Sequence, residues 1–459
     1  MTDKVIETDI EQPEIEQLPD GIYINLDEDH YHAQRRLSSS GISAMMCSEA
    51  DFWVKSWMNS ERNDDPTDAQ LLGRAFHAAR LEPDTFEEKY IRQIDKDDFP
   101  DALVTDADVR AQIKEIAPKK EDFPDALSKD AEVKAALKEL GQPQTVGGET
   151  VDDRKERLRK SSAGVVFFDD IVTEWEAENG SLDAPDNETP LQRAQRLLSY
   201  GYDGKIWSVE KYRFENSLDG RTPLPRNFWE QIKSDIAEMS GSTIAEKYLS
   251  GGIAEVSILW TDPASGVALK CRIDYLTADN FTDVKTFENV SRKNVRQCIE
   301  DAFRYNRYYI QARFYWEGIE AARLDLDLQV IDAITGEQTA SPVIDAIRQR
   351  DSGVRCTYVF QQKRGVPNVF ACPVLLSQTH ASIDAAATGD KSVDDRVRDR
   401  YAEKTLMCLR AEHEIAEAID RFSKCMDIYG ENEKWRPLDP EFSISDASFN
   451  GFWLEGEWA

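Results

Sequence analysis

The chain has 459 residues, 41% of them apolar and 10% aromatic, enough for two or three domains with buried cores. It carries 87 Asp and Glu against 56 Lys and Arg, a formal net charge of -31, which excludes coating of nucleic acid through bulk charge. No apolar run approaches 18 residues, the acidic start lacks a signal-peptide layout, and the seven scattered cysteines contain no C-x-x-C; these features predict a reduced, cytoplasmic protein without a membrane span or a cysteine-bound metal.

Residues 1–20 are acidic and aperiodic and predict disorder. The stretch "GIYINLDEDHYHAQ" reads as a turn and a loop, in which His30 and His32 need no ligand role. Ser38, Ser39 and Ser40 offer N-cap hydroxyls to a helix at "GISAMM", and "AQLLGRAFHAARLEP" (69–83) predicts a second helix stopped by Pro83. A repeat follows. "DDFPDALVTDADVRAQIKEI" (97–116) returns as "EDFPDALSKDAEVKAALKEL" (121–140), with 12 of 20 positions identical at an offset of 24. Two copies are too few for a solenoid, so 91–190 reads as a helical insertion whose copies are each a DFPDAL turn and a short helix. The second copy runs on into an extended loop and a basic helix. There it resembles small SAP or helix–extended-loop–helix DNA-binding modules, with Leu137, Leu140, Gly141 and Leu158 at the matching places. The alternative is a plain surface insertion, closed by the polar linker "ENGSLDAPDNETP" (178–190).

From 191 the pattern becomes compact again. A helix is expected at 191–200, short strands around "KIWSVEKYRF" (205–214), and a helix at 226–240. Strands follow at 252–260, 267–276 and 280–287, then a long helix at 296–322. Further strands near 327–333, 354–361 and 367–376 precede a helix at 398–429 and the aromatic tail "FNGFWLEGEWA". Strands flanked by helices on both sides of the insertion predict one α/β core built from 21–90 and 191–459.

Chemistry concentrates in "CRIDYLTADNFTDVKT" (271–286). Alternation along strands puts Lys270, Arg272 and Asp274 on one face, and Asp283 with Lys285 on one face. A hairpin through "TADN" sets Asp274 beside Asp283, where two carboxylates repel unless a cation lies between them. A hard ion such as magnesium suits those oxygens, and the lysine could orient water or meet charge developing on a phosphate. Other matches to D/E-x-K, at Glu87/Lys89, Glu132/Lys134 and Asp153/Lys155, fall in helical sequence, where i and i+2 do not face each other. Read alone, the cluster is equally a solvated hairpin. His77 stands on an apolar helix face four residues after Gly73, where a single histidine reads first as a buried structural residue. Tyr308, Gln311 and Tyr315 form a stripe at helical spacing, the ordinary signature of a core with one polar group to orient.

Taken as an ordered set, G-x-x-x-H on a helix, Asp on a strand, D-x-K, and Tyr-x-x-Gln on a helix resemble the PD-(D/E)xK nuclease superfamily. The segments "LSSSGISAMM", "LLGRAFHAARLEPDTFEEKY", "AEVSILWTDPASGVALKCRIDYL", "DVKTF" and "YYIQARFYWEGI" are similar to the RecB-like exonucleases, and within them to the exonuclease VIII (RecE-like) group of phage proteins. The resemblance implies a restriction-endonuclease-like core with a central mixed sheet flanked by helices. It implies His77, Asp274, Asp283 and the Val284 carbonyl as ligands of Mg2+ or Mn2+, Lys285 as the residue that positions or activates the attacking water, and Tyr308 and Gln311 as supports of the lysine or of the DNA backbone. Glu255 would be an auxiliary ligand or the partner of a buried arginine. Arg272, Arg292, Lys293, Arg296 and Arg304 would face the DNA backbone. It further implies 5′-to-3′ digestion of linear duplex from its ends, 3′ tails passed to a RecT-like annealing protein in homologous recombination, and a homo-oligomer. An endonuclease, or a non-catalytic DNA-binding scaffold on the same fold, are the alternative readings. The insertion is larger than the minimal fold of that group needs.

Overall fold

The computed structural model describes residues 16–62, 65–289, 294–350, 353–363, 368–376 and 405–441. Two compact units emerge, one from Met1–Glu87 with Phe228–Ala459 and one from Glu88–Asn227, a wider insertion than the expected 91–190.

In chain order the first unit begins with β1 (Gly21–Ile24), α1 (Glu28–Ala33), α2 (Ser39–Met45), α3 (Glu49–Lys55), α4 (Asp68–Leu81) and α5 (Pro83–Lys89). The second unit holds β2 (Tyr90–Arg92), α6 (Asp106–Ile116), α7 (Asp130–Glu139), α8 (Val151–Ser161), α9 (Phe168–Asn179), α10 (Pro190–Ser199), α11 (Trp207–Glu215) and β3 (Thr222–Leu224). The chain re-enters the first unit through α12 (Arg226–Ser240) and α13 (Thr243–Tyr248), then β4 (Ile253–Thr261), β5 (Ala268–Leu276) and β6 (Asn280–Phe287). It continues as α14 (Val295–Tyr305), α15 (Tyr308–Leu324), β7 (Val330–Asp332), β8 (Glu337–Gln338) and α16 (Pro342–Arg348). It closes with β9 (Arg355–Gln362), β10 (Val369–Val374) and α17 (Leu406–Tyr429).

The first unit is α/β, built on a mixed sheet of eight strands in the order β10-β9-β6-β5-β4-β1-β7-β8. β6 and β9 run parallel, as do β1 and β7, and the other neighbours are antiparallel. The middle of β4, Val256 to Trp260, is buried on both faces, which explains why it is apolar but for Ser257. α15 lies against this sheet through Ile310, Phe314 and Ile319, with Phe314 5.2 Å from the Trp260 ring. Close approach depends on Gly318. A Cβ there would stand 2.7 Å from Cys271 Sγ and 3.0 Å from Trp260. Gly318→Ala is therefore expected to lower stability by about 1–3 kcal/mol, read from the urea midpoint.

Several expectations change. The stretch "KIWSVEKYRF" is the helix α11, not strands. The long helix at 296–322 is two helices, α14 and α15, because Arg307 takes φ 54° and ψ 37° between them. The turn at "GIYIN" is the strand β1, and His30 and His32 lie on α1, capped by Asp27. Pro83 ends α4 but also opens α5. The acidic residues 1–15, the tail 442–459 and the first part of the expected 398–429 helix lie outside the described residues.

Within the second unit the repeat extends much further than its sequence signal. Leu127 bridges Phe167 in one copy, and Leu103 bridges Ile206 in the other. Arg154 pairs with Asp130 and Glu149, and Arg193 pairs with Asp106 and Glu188. Arg157 meets Glu149 at 2.6 Å, and Arg196 meets Glu188 at 2.7 Å. The Thr150/Asp153 capping box is matched by Thr189/Gln192, and the ring pair Phe123–Phe168 by Phe99–Trp207. Each copy has its own core: Val133, Leu137, Leu158 and Phe167 in one, and Val109, Ile113, Leu197 and Ile206 in the other. The copy built from α7, α8 and α9 sits wholly in the connection between α6 and α10 of its counterpart. One module is nested inside the other.

The nesting revises the small-module reading. Leu137 and Leu158 are core, and Gly141 takes φ +68° just past α7, but Leu140 is exposed. The basic helix α8 is neutralised within its own module. Lys155 pairs with Asp169, Arg157 with Glu149, Arg159 with Asp170, and Lys160 with Glu156.

Candidate active site

Asp274 stands in β5 between β4 and β6. Antiparallel pairing sets Tyr275 opposite Thr282 and Leu276 opposite Phe281, a register that brings Asp274 opposite Asp283. The ladder stops short of that pair. Asp274 instead uses its carboxylate to accept the Val284 amide at 2.6 Å. On the other side Ala254 pairs Tyr275 and Val256 pairs Ile273, while Glu255 between them is unpaired with φ 54°. A left-handed backbone at a non-glycine residue costs about 1–2 kcal/mol. The β4–β5 register sets this strained residue opposite Asp274. His77 of α4 completes the group: His77, Glu255 and Asp274 each bring a ligand atom within 4.8 Å of one another. His77 Nδ1 lies 3.5 Å from Asp274 Oδ2.

Asp283 and Lys285 adjoin this group on β6. Asp283 is 1% exposed, and its Oδ2 accepts from Gln311 Nε2 at 2.7 Å. Lys285 Nζ is 2.6 Å from Asp283 Oδ1 and 5.4 Å from the Tyr308 ring centre. Gln311 is reached in turn by the Tyr358 hydroxyl, 3.3 Å from its Oε1 and 3.0 Å from the Tyr308 carbonyl. The turn at Arg307 makes this possible, because α15 starts directly over Lys285.

Burial sets the electrostatics. It lifts Asp283 to about 6 against the pull of Lys285, with Asp274 adding to the rise. It also raises Asp274 and lifts Glu255 to about 7, opposed by Arg272. His77 is lowered, first by burial and then by Lys285. Burial works against the charge of Lys285, but Asp283 and Asp274 outweigh it and hold the ammonium above its ordinary value. Burial and the mutual repulsion of the carboxylates both disfavour their charged forms, and a cation held among them would offset both.

The residues fit such an ion. They offer one imidazole and a set of hard carboxylate oxygens. Oxygen ligands suit magnesium, and the histidine admits manganese. Of the expected ligands, His77 and Asp274 fall into the group of three. Glu255 joins them, while both Asp283 oxygens face Gln311 and Lys285. Of the two roles considered for Glu255, the structure shows the pairing with a buried arginine, since Arg272 Nε donates to it.

The expected phosphate contacts divide. Arg272 is turned inward to Glu255 and to the Leu26 carbonyl at 2.7 Å, so it serves the site rather than the DNA backbone. Arg296 and Arg304 are exposed but pair with Glu300 and Asp301. Arg292 and Lys293 lie outside the described residues. Tyr358 escaped the sequence reading, because it meets Gln311 from β9 and no spacing links the two.

Among the described residues no helix is long and apolar enough to cross a membrane. No curated protein matches the chain. A candidate exonuclease of Eubacterium rectale, known from a crystal structure, aligns with 64% of this chain and 90% of its own at 14% identity, with a TM-score of 0.23, too loose to carry an argument. Residues 133–160, from α7 to α8, match a family model described as pre-mRNA processing factor 4 (PRP4) like. Residues 210–355 match the family described as a PDDEXK-like domain of unknown function. That match spans Glu255, Asp274, Asp283, Lys285 and Gln311, so the PDDEXK-like stretch holds the strand side of the site, and His77 reaches it from α4.

Proposed function

We propose that the chain is a divalent-metal-dependent nuclease that hydrolyses phosphodiester bonds of linear duplex DNA from its ends, 5′ to 3′. The 3′ tails would pass to a RecT-like annealing protein, and the enzyme would work as a homo-oligomer. One observation carries the nuclease reading: three ligand atoms from His77, Glu255 and Asp274 converge beside the buried Asp283–Lys285 pair. The sequence resemblance supports the exonuclease polarity and the partner.

His77, Asp274 and Glu255 would hold the ion, with Asp283 and the Val284 carbonyl at its edge. A bound divalent ion supplies positive charge against the phosphate and lowers the pKa of water. The protein's own groups do the rest. Lys285 keeps its proton at Nζ and presents it to the attacking water or to the oxygens that gain charge as phosphorus is attacked. Gln311 fixes the Asp283 carboxylate, so Lys285 is held on the reacting side. The Tyr308 ring faces the Lys285 ammonium and helps to hold it in place.

Duplex labelled separately at its 5′ and 3′ ends tests the reading with Mg2+, Mn2+ or chelator. Loss of 5′ label first, no loss in chelator, and survival of closed-circular plasmid are expected. Cutting of the circle points to an endonuclease instead. No digestion with either metal overturns the nuclease reading.

A further inference from the structure

Outside the reacting group, α4 carries a second feature. Arg74 stands one turn before His77 on the same side of the helix, with its side chain 41% exposed. Its Nε lies 3.5 Å from Glu28 Oε1, and the same oxygen is 3.6 Å from His32 Nε2, whose ring is 55% exposed. Glu28 also feels the charge of Arg272, which in turn pairs with Glu255. Charges therefore alternate outward from the metal ligands: Glu255, Arg272, Glu28, then Arg74 and His32 at the surface.

Three side chains that are or can be cationic share one carboxylate here, in a chain that is otherwise strongly acidic. The His32 ring beside it, with Arg74 adding to the pull, holds the Glu28 carboxyl below its ordinary range against burial, so it stays an anion that orients both surface groups. Neither Arg74 nor His32 is buried, and neither belongs to the ligand group.

We propose that Arg74 and His32 form a phosphate seat for the substrate strand, on the His77 side of the scissile bond. The ligand is a backbone phosphodiester of nucleic acid. A strand with its scissile phosphate at the ion passes Arg74 one helical turn away. The guanidinium offers a forked donor to the phosphate oxygens, and the His32 ring adds a second N–H. Glu28 keeps the cations from folding back onto Glu255 and Asp274. The seat supplies the local basic surface that the net charge of -31 demands, and it rests on the nuclease reading above.

The test measures duplex binding by fluorescence anisotropy with Ca2+ across a salt series, digestion kinetics with Mg2+, and Mn2+ binding by calorimetry. For Arg74→Ala the expected result is about tenfold weaker binding, a log K against log[salt] slope reduced by about 1, and a KM raised with kcat changed less than about twofold. Mn2+ affinity stays as in the wild type, which separates the seat from a ligand defect. His32→Ala weakens binding by about threefold. Glu28→Gln, which removes the anion that orients both groups, weakens it as well. Arg74→Ala with wild-type salt slope and KM overturns the seat while leaving the nuclease intact. A wild-type protein that neither binds nor digests duplex overturns both.

Discussion

Replacing Lys285 with alanine is expected to slow digestion of linear duplex by at least about a thousandfold, while the protein with excess Mn2+ stays folded. Lys285 is the charged donor that Asp283 and Tyr308 hold toward the reacting side, and nothing else among the described residues stands in its place. Without the ion the same substitution is expected to lower the melting temperature, because Asp274 and Asp283 then face each other with no cation. Asp283→Asn should stop digestion to a similar degree and yet raise the metal-free melting temperature at neutral pH. The sign follows from burial. The folded pKa of Asp283, about 6, lies above the ordinary value of about 4, so the folded state binds the extra proton between those limits. Its contribution to stability is greatest below pH 4 and falls as pH rises through 6. A divalent ion relieves the charge left above pH 6. The rise in melting temperature on adding Mn2+ should therefore be larger at pH 7.5 than at pH 5. Equal shifts at the two values would separate the carboxylates from the ion.

Arg421→Ala is expected to destabilise the first unit by about 3–5 kcal/mol, measured by urea unfolding. Glu49, in the first turn of α3, is 0% exposed, and Arg421 of α17 donates to its Oε1. Its Oε2 has no hydrogen-bond partner, so the arginine is the main compensation for a charge held out of water. Removing the arginine strands the carboxylate. Glu49→Gln added to Arg421→Ala should recover part of the loss, and the double-mutant cycle measures the coupling.

The strands around the site were legible because β4, β5 and β6 are buried on alternating or both faces, and burial writes itself into residue type. From β5 and β6 the meeting of Asp274 with Asp283 follows by register alone. Other parts left no local trace. The left-handed turn at Glu255 depends on what its carboxylate reaches, and glutamate carries no signal for that backbone. The approach of Tyr358 to Gln311 depends on β9 joining β6 in parallel after a long crossover. Trp207 and Val209 alternating with Ser208 and Glu210 look like a strand, yet Ile206 docks on Leu103 and starts α11 there, as Phe167 docks on Leu127 and starts α9. The second half of the duplication was illegible because "TVDDRKERL" and "TPLQRAQRL" keep only Thr, Arg, Arg and Leu in common. Those four are the cap, the two ion-pairing arginines and a core leucine. Selection on structure preserved little else.

The nesting of one module in another sets an order of folding. α6 can meet α10 only by closing a loop that contains the whole inner copy. Once Leu127 has bridged Phe167, that loop is shortened by about half, which lowers its closure cost by roughly 0.6 kcal/mol. The inner copy faces no such handicap, since its contacts span only its own short loop. A lesion that unfolds the inner copy, such as loss of the Asp130–Arg154 pair, therefore slows the outer one as well. A lesion at Asp106–Arg193 leaves the inner copy to fold at its own rate.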